Sequence, residues 1–503
     1  MILTDTNTDG SSPSGTKSAG WCSPLLMRTG VLLIALVVIL GLLCLAFVHF
    51  DIRVDEAWLG QQVYSLVTHG EVRSEFFRDK APLDGKIVLY HTLLIWMGAA
   101  ASWLTGWGLY TLRAVSVVAG LLLAASLFWF RPFGMNRRIA ALAALLLLIT
   151  PLYFRVMLIF RPEMLLTLLG FLSFVLVDRG VIPARRDLLF FAGLCAGCSG
   201  ATHALGLSFA LAGGVVLLVY RRFRVLAWFI AGSLIGFAPY VAGFFTDRSA
   251  FLDQAFHNPL IQSDIGMHWY QPVVNLLGEH TRWFRNFESI GISVLFVLAI
   301  LLQRRESWHR NRLFWIFFGA LAIAIAIAPI PKTSRYLVLM APFMISVIAA
   351  SLTSRSPSVG IRSKLAGFLL PVWAIVFVCS GVVSLGREAF SQGSHRIATN
   401  HQLAAHLVPG SLVMAPFDFT FSEQPNFVVQ SYRGAQLTRR SFSPDELEAY
   451  ADSLSVKYLI FSSEEVLFWG IDTLNLASQF SRYSPVSVTG ADERWLMKKI
   501  GLP

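Results

Sequence analysis

Apolar residues in the first three quarters of the chain gather in twelve runs that polar segments separate. Several runs approach the roughly 20 residues that a helix needs to cross the hydrocarbon core of a bilayer. The first run is not a cleaved signal peptide, because it is too long, lacks a small-residue cleavage site and is followed by further runs. The pattern therefore predicts an α-helical polytopic membrane protein. The runs fall at about 29–50, 87–108, 111–130, 138–154, 163–178, 187–203, 205–220, 226–246, 287–303, 312–330, 335–353 and 365–386.

The two ends of the chain have a different pattern. Residues 1–27 are rich in Ser, Thr, Gly and Asp, which predicts a disordered tail. In 387–503, the strand-like pieces SLVMAP, NFVVQ and KYLIFSS alternate with the helix-like pieces NHQLAAHL and SPDELEAYADSL. Ser443 and Glu446 in the last piece have the spacing of a helix-initiating capping box. We therefore expect a transmembrane domain over 28–386 and a small soluble α/β domain over 387–503.

Arginine-rich connections indicate how the chain is oriented, because basic loops face the cytoplasm. Counting spans back from the last such loop places residues 51 and 110 on the same outer face. The run 87–108 therefore cannot be a simple crossing, and its three tryptophans favour a helix at the membrane interface. This leaves eleven spans, a cytoplasmic N-terminus and an extracytoplasmic C-terminal domain. The basic connections are 131–138, 178–187, 220–224, 303–312 and 354–364.

Composition supports a membrane protein and argues against two other classes. The 503 residues are 55% hydrophobic and 14% charged, with a net charge of +11. The basic residues lie in short loops, so they indicate topology rather than nucleic-acid binding. Of the five cysteines, Cys195 and Cys198 form a Cys-x-x-Cys without a second ligand pair. Their surrounding glycines and alanines favour close helix packing over a metal or redox site.

Acidic residues occur at two points on the predicted outer face. Asp55 and Glu56 follow the first apolar run, and Glu163 follows Arg161 and Pro162 at the start of another. Acidic residues in the first turn stabilise a helix, so capping alone could explain their positions. They could also frame an active site, in which one carboxylate acts as a base and another orients a substrate or ion. The sequence leaves both readings open.

Basic residues share that predicted face. Lys80, Lys332 and Arg335 either extend their charged groups towards lipid headgroups or bind a phosphate in a poorly solvated pocket. Arg113 and Arg155 are further candidates, placed just inside apolar runs. Carboxylates and cations at one membrane face fit a reaction in which a lipid phosphate is the leaving group. The cations would stabilise the departing phosphate, and a carboxylate would deprotonate an acceptor hydroxyl.

Five short motifs, in this order, resemble the GT-C glycosyltransferases over about residues 30–350. The resemblance is to the dolichyl-phosphate-mannose–protein mannosyltransferases of family 39 and to bacterial relatives such as the aminoarabinose transferases of lipid A. It implies a GT-C fold with about eleven transmembrane helices and membrane-parallel helices in the first outer loop. The motifs are VDEAW, KAPL ahead of an apolar helix with Tyr90, LYTLRAVSVVAGLL, RPEMLLTLLGFLSF and KTSRYLVLMAPF.

The resemblance also implies roles for single residues. Asp55 would be the catalytic base with Glu56 as its partner, and Glu163 would match a second acidic position that is more often Asp. Lys80 and Tyr90 would lie near the carrier phosphate.

Further substrate-binding positions follow from the later motifs. Arg161 lies in RPEMLL, and Arg335 with Tyr336 would match an Arg-Tyr pair at the outer end of a late span. His203 stands where relatives often have Lys, which is a departure from the family pattern. Lys332 completes the predicted set of cations.

The activity implied by the resemblance is inverting glycosyl transfer. The donor would be a polyprenyl-phosphate sugar, and the acceptor a hydroxyl of a lipid, glycan or protein at the outer face of the cytoplasmic membrane. No metal is expected to be obligatory, although some GT-C enzymes need a divalent ion. The outer loop 247–286, with His257, His268, Trp269 and Tyr270, could cover the acceptor or simply place aromatic residues at the interface.

Two other classes remain as alternatives. A transporter or flippase of lipid-linked sugars would predict repeated, helix-breaking segments at mid-membrane, and no internal repeat is evident. A non-catalytic protein that binds a lipid-linked sugar would not need Asp55, Glu56 and Lys80, all of which are present.

Overall fold

The structure, a computed structural model, is mostly helical and ends in a small sheet region. Its first helix begins at Pro24, within the segment predicted to be disordered, and residues 1–23 lie outside the described residues. The described residues are 24–78, 80, 82–257, 270–303, 305–328, 332–353, 361–391, 393–432, 434–435, 443–473, 475–488 and 494–501.

The helices before the sheet account for most of the chain. In order they are α1 Pro24–His49, α2 Val54–His69, α3 Thr92–Thr105, α4 Leu109–Phe130, α5 Arg137–Leu148, α6 Pro151–Met157, α7 Pro162–Gly180, α8 Arg186–Thr202, α9 Leu207–Val219, α10 Phe223–Thr246, α11 Arg248–Phe256, α12 Gln271–Leu277, α13 His280–Trp283, α14 Phe287–Leu301, α15 Arg305–Arg310, α16 Arg312–Ile327, α17 Ala341–Thr353, α18 Ile361–Ala389 and α19 Gly393–Ala404. Two-residue strands, β1 Arg73–Ser74 and β2 Gly85–Lys86, pair between α2 and α3, and a 3₁₀ helix covers Ser334–Leu339.

Several of these helices are suited to cross a membrane. In the described part of the chain, four segments have the required length and hydropathy: Gly30–His49, Leu109–Phe130, Phe223–Thr246 and Leu365–Ala404. Two more arise if α5 with α6, bent by 68°, and the α12–α14 region, bent by 98°, each count as one broken span. The prediction of a multi-pass protein is confirmed, whereas the number of eleven spans stays a prediction.

The run at 87–108 forms a shorter helix than its hydropathy suggests. Helix α3 has 14 residues, which corresponds to a length of about 21 Å at 1.5 Å per residue. A bilayer core is about 30 Å thick, so this helix is too short to cross it upright. Trp103 is 72% exposed on its surface. The interface position expected for this helix stays a prediction.

Local sequence explains where the helices next to the predicted site begin and end. The Glu56 carboxylate accepts a hydrogen bond from the Arg53 backbone at 3.4 Å and caps the start of α2. Gly70 ends α2 with φ of 74°, a left-handed conformation that glycine adopts without strain. Pro162 occupies the first turn of α7, where its missing N–H costs no hydrogen bond. The capping interpretation of Glu56 is therefore correct.

The glycines near the Cys-x-x-Cys pack α8 against α10. A side-chain carbon at Gly193 would lie 1.9 Å from the Phe229 carbonyl oxygen, and one at Gly197 would lie 2.1 Å from that of Ser233. Only residues without a Cβ allow backbones to approach this closely. The packing role predicted for this segment is confirmed.

A five-stranded sheet forms the core of the C-terminal region. Its strands are β3 Leu412–Ala415, β4 Val428–Ser431, β5 Tyr458–Ser462, β6 Tyr483–Val486 and β7 Arg494–Lys499, in the spatial order β4-β3-β5-β7-β6. The first three are parallel, and β7 is antiparallel to both β5 and β6. Helices α20 Phe419–Glu423, α21 Pro444–Ser453, α22 Ser463–Trp469 and α23 Leu476–Gln479 connect them. The sequence predicted β3, β4, β5 and α21, but not β6 and β7.

Candidate functional site

Asp55 lies at the centre of a cluster of four charged residues. Its Oδ2 atom pairs with Nη1 of Arg161 and, at 3.2 Å, with Nη1 of Arg335. Arg161 in turn binds Glu163, with Nη2 at 2.7 Å from Oε1. These residues come from the first turn of α2, the start of α7 and the 3₁₀ helix before α17. We call Asp55, Arg161, Glu163 and Arg335 the carboxylate–arginine cluster.

Burial separates the members of the cluster into two layers. The Glu163 side chain is 1% exposed and that of Arg161 is 11% exposed. Asp55 and Arg335 have 46% and 42% of their side chains exposed. Glu163 therefore fixes the guanidinium of Arg161 from the buried side, while Asp55 and Arg335 remain accessible to a substrate.

Glu56 has a different environment from its neighbour Asp55. It is fully buried, and its two carboxylate oxygens each accept a 2.8 Å hydrogen bond from Arg113. It also accepts a hydrogen bond from the Phe160 backbone at 3.0 Å. Arg113 further donates to the carbonyl oxygen of Phe50 at 2.9 Å. This network joins the start of α2 to α4 and to the segment before α7, so it holds both sides of the cluster.

Arg155, the other sequence candidate within an apolar run, joins three helices. It pairs with Glu388 at 2.9 Å, with Glu288, and donates to Ser384 Oγ at 3.1 Å. These partners lie on α14 and α18, so the contacts of Arg155 stabilise packing around α6.

Lys80 and Tyr90 lie between α2 and α3, in the segment predicted to be the first outer loop. The Lys80 ammonium lies 5.0 Å from the centre of the Tyr450 ring, on α21 of the sheet region. Tyr90 is partly buried against the apolar core of this loop. Gln254 of α11 fixes the segment between them by accepting hydrogen bonds from the backbones of Val88 and Leu89 at 2.9 Å each. Lys80 therefore contacts the C-terminal region, on one side of the loop.

A second group of cations surrounds Tyr336. Arg282 is completely buried, and its guanidinium carbon lies 5.8 Å from the centre of the Tyr336 ring. Glu279 lies 3.4 Å from Arg282 Nε and 3.3 Å from Lys332 Nζ. The guanidinium of Arg282 makes no hydrogen bond to any described residue. A buried cation without hydrogen bonds is costly, so this group is suited to receive an anion.

The surroundings of Lys332 contain charges of both signs. Burial lowers the pKa of the Lys332 ammonium, the charge of Glu279 opposes this shift, and the charge of Arg282 adds to it. One carboxylate, Glu279, therefore faces two cations in this group. A bound phosphate would supply further negative charge.

Two stacked histidines also lie near Tyr336. The rings of His91 and His203 are parallel within 14°, with centres 5.0 Å apart. The His203 ring lies 6.2 Å from that of Tyr336, and its Nδ1 accepts a hydrogen bond from the Leu205 backbone at 3.0 Å. His203 is thus a packed polar group at the edge of the site.

The sequence did not single out Arg282 or His91. Arg282 follows Glu279 by three residues in the predicted outer loop, which gives an ordinary helical ion-pair spacing. His91 precedes α3 and has no distinguishing neighbour in sequence. In both cases the sequence shows only an aromatic or basic residue in a predicted outer loop. Many surface residues share this feature, so it does not identify a site residue.

The outer loop proposed to cover the acceptor is described in part. His257 is exposed and its Nδ1 lies 2.8 Å from Oδ1 of Asp253, and Tyr270 is 43% exposed. His268 and Trp269 lie outside the described residues.

The acidic residues of the cluster do not fit a metal site. Among the residues that the structure describes, no group of three His, Cys, Asp or Glu side chains converges as ligands would. The carboxylates of Asp55 and Glu163 are instead engaged by arginines. We derive no step that uses a metal.

Comparison with known proteins identifies the fold. No model of a known protein family matches the sequence, and no curated protein matches it. The structure is similar to that of the aminoarabinose transferase ArnT from Cupriavidus metallidurans bound to undecaprenyl phosphate. The TM-score is 0.63 at 15% identity, over 94% of this chain and 98% of that chain.

A second similar structure is the oligosaccharyltransferase of Archaeoglobus fulgidus in its apo form. The TM-score is 0.55 at 13% identity, over 92% of this chain and 73% of that chain. Both enzymes are members of the GT-C superfamily. The similarity to each extends over more than nine tenths of this chain. The chain therefore has the GT-C fold.

Proposed function

We propose that this protein is a glycosyltransferase that moves a sugar from a polyprenyl-phosphate carrier to an acceptor hydroxyl. We rest this proposal on Asp55, a half-exposed carboxylate held by Arg161 and Arg335, and on the cations Arg282 and Lys332, whose group adjoins Tyr336, the residue after Arg335. The undecaprenyl phosphate bound by ArnT supports this class of donor. A carboxylate next to a phosphate-binding group is the pair of functions that transfer requires.

The reaction would be a single displacement at the anomeric carbon. The acceptor oxygen forms a bond to this carbon while the bond from the carbon to the carrier phosphate oxygen breaks. The electron pair of the broken bond stays on the phosphate, and the acceptor proton passes to Asp55. One displacement inverts the anomeric configuration.

The cations would link donor binding to the activation of Asp55. In the free protein Arg161 and Arg335 share one oxygen of Asp55. A phosphate that draws Arg335 towards itself would leave this oxygen with one cationic partner, and so more available to the acceptor proton. Arg282 and Lys332 would then stabilise the charge that develops on the departing phosphate.

Glu56, Glu163 and Arg113 would position these groups without touching the reacting atoms. Glu163 fixes Arg161 through a buried ion pair, and Glu56 connects α2 to α4 through its ion pair with Arg113. Lys80, at the boundary with the sheet region, would orient the acceptor rather than the phosphate. Tyr90 and Tyr336 would line the path of the donor.

We place the reaction at the outer face of the cytoplasmic membrane, with the N-terminus in the cytoplasm. The basic loops support this orientation by the positive-inside rule. The acceptor would be a lipid, glycan or protein, and the membrane itself would supply the carrier.

The test of this function is transfer from a panel of radiolabelled polyprenyl-phosphate sugars. Membranes that contain the wild-type protein are compared with membranes from cells that lack it. We expect transfer from one donor in the first sample alone. If every donor binds but none is consumed, the proposal is wrong and a binding protein is supported. Movement of the lipid across the bilayer without cleavage would support a flippase.

The role of Arg282 gives a separate prediction. Replacement of Arg282 by glutamine should weaken polyprenyl-phosphate binding about 10- to 100-fold, because a hydrogen bond to a charged group contributes about 1.5–3 kcal/mol. Scintillation proximity with tritiated undecaprenyl phosphate measures this change on purified protein.

Arg285→Gln is the matched control for Arg282→Gln. Arg285 lies three residues further on, is exposed, and donates to the Lys332 carbonyl at 3.2 Å. The Arg285→Gln variant should bind the carrier as the wild type does. If Arg282→Gln lowers the melting temperature and leaves the carrier affinity unchanged, Arg282 has a structural role and the assignment is wrong.

A further inference from the structure

A polar cavity of about 540 Å³ lies where the helical region meets the sheet, away from the carboxylate–arginine cluster. On the helical side its wall includes His49, at the outer end of α1, and Arg396 of α19. On the sheet side it includes Asp418, Ser463 and Arg494. The volume lies within the range of 300–1,000 Å³ that is common for small-molecule sites.

The cavity lies at a switch point of strand order. From β3 the chain proceeds to β4 on one side of it and then returns to form β5 on the other side. Residues 416–418 directly follow β3, and residues 463–464 directly follow β5; both segments line the cavity. Open parallel sheets bind ligands at the carboxyl ends of the two strands where the order reverses. The topology therefore marks the same crevice as the cavity does.

Arg494 is the charged group best suited to bind a ligand there. Its side chain is 6% exposed and pairs with Asp418, which is equally buried. Its Nη1 atom is buried and has no hydrogen-bond partner among the described residues. A buried guanidinium N–H without an acceptor costs free energy that an anionic oxygen would recover.

The rest of the wall is suited to a polyhydroxylated molecule. The hydroxyl groups can donate and accept hydrogen bonds with sugar hydroxyls, and Phe417 supplies an apolar surface. The other charged residues on the wall include Glu464, whose carboxylate can accept from sugar hydroxyls, and Arg396, which lies 3.6 Å from Asp51 and is 39% exposed. The hydroxyl-bearing residues are Ser391, Ser394, Thr399, Ser462 and Ser463.

We propose that this cavity is a second binding site, which takes an anionic saccharide. Through Arg396 and Asp51 it contacts the segment between α1 and α2, four residues before Asp55. It is therefore placed to hold the polar part of an acceptor. That role as an acceptor site rests on the proposed function, whereas binding of an anionic saccharide does not.

Calorimetric titration of the purified full-length protein in detergent tests the site, with glucose 6-phosphate as the probe. We expect saturable binding, with glucose and inorganic phosphate at least tenfold weaker. Ser463→Phe fills the cavity and should weaken binding at least tenfold. Leu467→Phe, on the same helix but 83% exposed, is the matched control and should bind as the wild type does.

A second variant guards against a folding defect in the first. The double replacement Arg494→Gln with Asp418→Asn removes both buried charges together, so that neither is left unpaired. It should abolish the preference for glucose 6-phosphate over glucose while the melting temperature stays near that of the wild type.

The source of the anionic saccharide is distinguished by a lipid arm. Nanodiscs that contain phosphatidylinositol present an anionic polyol on a lipid. Their binding to the immobilised protein is compared with the binding of nanodiscs that contain only phosphatidylcholine. If glucose 6-phosphate or phosphatidylinositol binds better than its control, and Ser463→Phe loses this difference, the site is supported. The probe that binds then shows whether the saccharide is free or part of a lipid. The proposal is overturned if neither probe binds, or if binding is the same in Ser463→Phe and Leu467→Phe. Asp55→Asn should bind the probe normally, so a failure of the transfer mechanism would leave this result unchanged.

Discussion

Replacement of Asp55 by asparagine should lower the rate of sugar transfer by about 10²- to 10⁴-fold, the usual contribution of a general base. The amide keeps the volume of the side chain and can still accept a hydrogen bond from Arg335. It cannot take the proton of the acceptor hydroxyl. Binding of the carrier should therefore change much less than the rate at saturating donor.

Asp253→Asn is the matched control for Asp55→Asn. Asp253 has a similar side-chain exposure, 50% against 46%, and its carboxylate also contacts a basic group, in His257. Initial rates with radiolabelled donor should be unchanged in this variant. If Asp55→Asn transfers sugar at the wild-type rate, Asp55 serves only as a first-turn residue of α2 and the mechanism is wrong.

Replacement of Arg113 by methionine should destabilise the protein by about 3–5 kcal/mol, because it leaves the charge of Glu56 buried and unpaired. Both side chains are fully buried, so water cannot replace the lost contacts. The carbonyl oxygens of Phe50 and Asp51 lose their donors as well. Thermal unfolding in detergent, followed by the loss of the monodisperse protein, measures the effect.

Two variants separate the buried charge from a general effect of removing arginine. Arg185→Met breaks an ion pair with Asp187 in which both side chains are more than half exposed, and it should leave the melting temperature near that of the wild type. Arg113→Met combined with Glu56→Gln removes both buried charges and keeps an acceptor for the Phe160 N–H. It should recover part of the lost stability. If the double variant is less stable than Arg113→Met, the unpaired charge is not the cause.

The sequence predicted much of the site because the positions of charged residues and of apolar runs can be read from short segments. Counting the spans between the basic loops placed Asp55, Glu163 and Arg335 at one face of the membrane. The structure brings these three together through Arg161. Helix starts at Pro162 and Pro444 were also predictable, since capping depends on a few neighbouring residues.

What the sequence could not predict depends on distant contacts. Glu56 and Asp55 are adjacent in sequence, yet successive residues on a helix point in different directions, so one meets Arg113 and the other Arg161. Lys80 lies beside Tyr450 because the segment between α2 and α3 packs on the sheet region, and its expected place near the phosphate stays a prediction. The lack of hydrogen bonds to the guanidinium of Arg282 among the described residues is a property of its surroundings, which no local pattern encodes.

If Asp55 acts as a base in one direct displacement, the sugar changes configuration at its anomeric carbon. The anomeric configuration of the product can be determined by NMR after transfer from a donor of known configuration by the purified protein. We expect a product of inverted configuration. A product of retained configuration, with a sugar covalently attached to Asp55 in the quenched reaction, would show that Asp55 is a nucleophile and not a base.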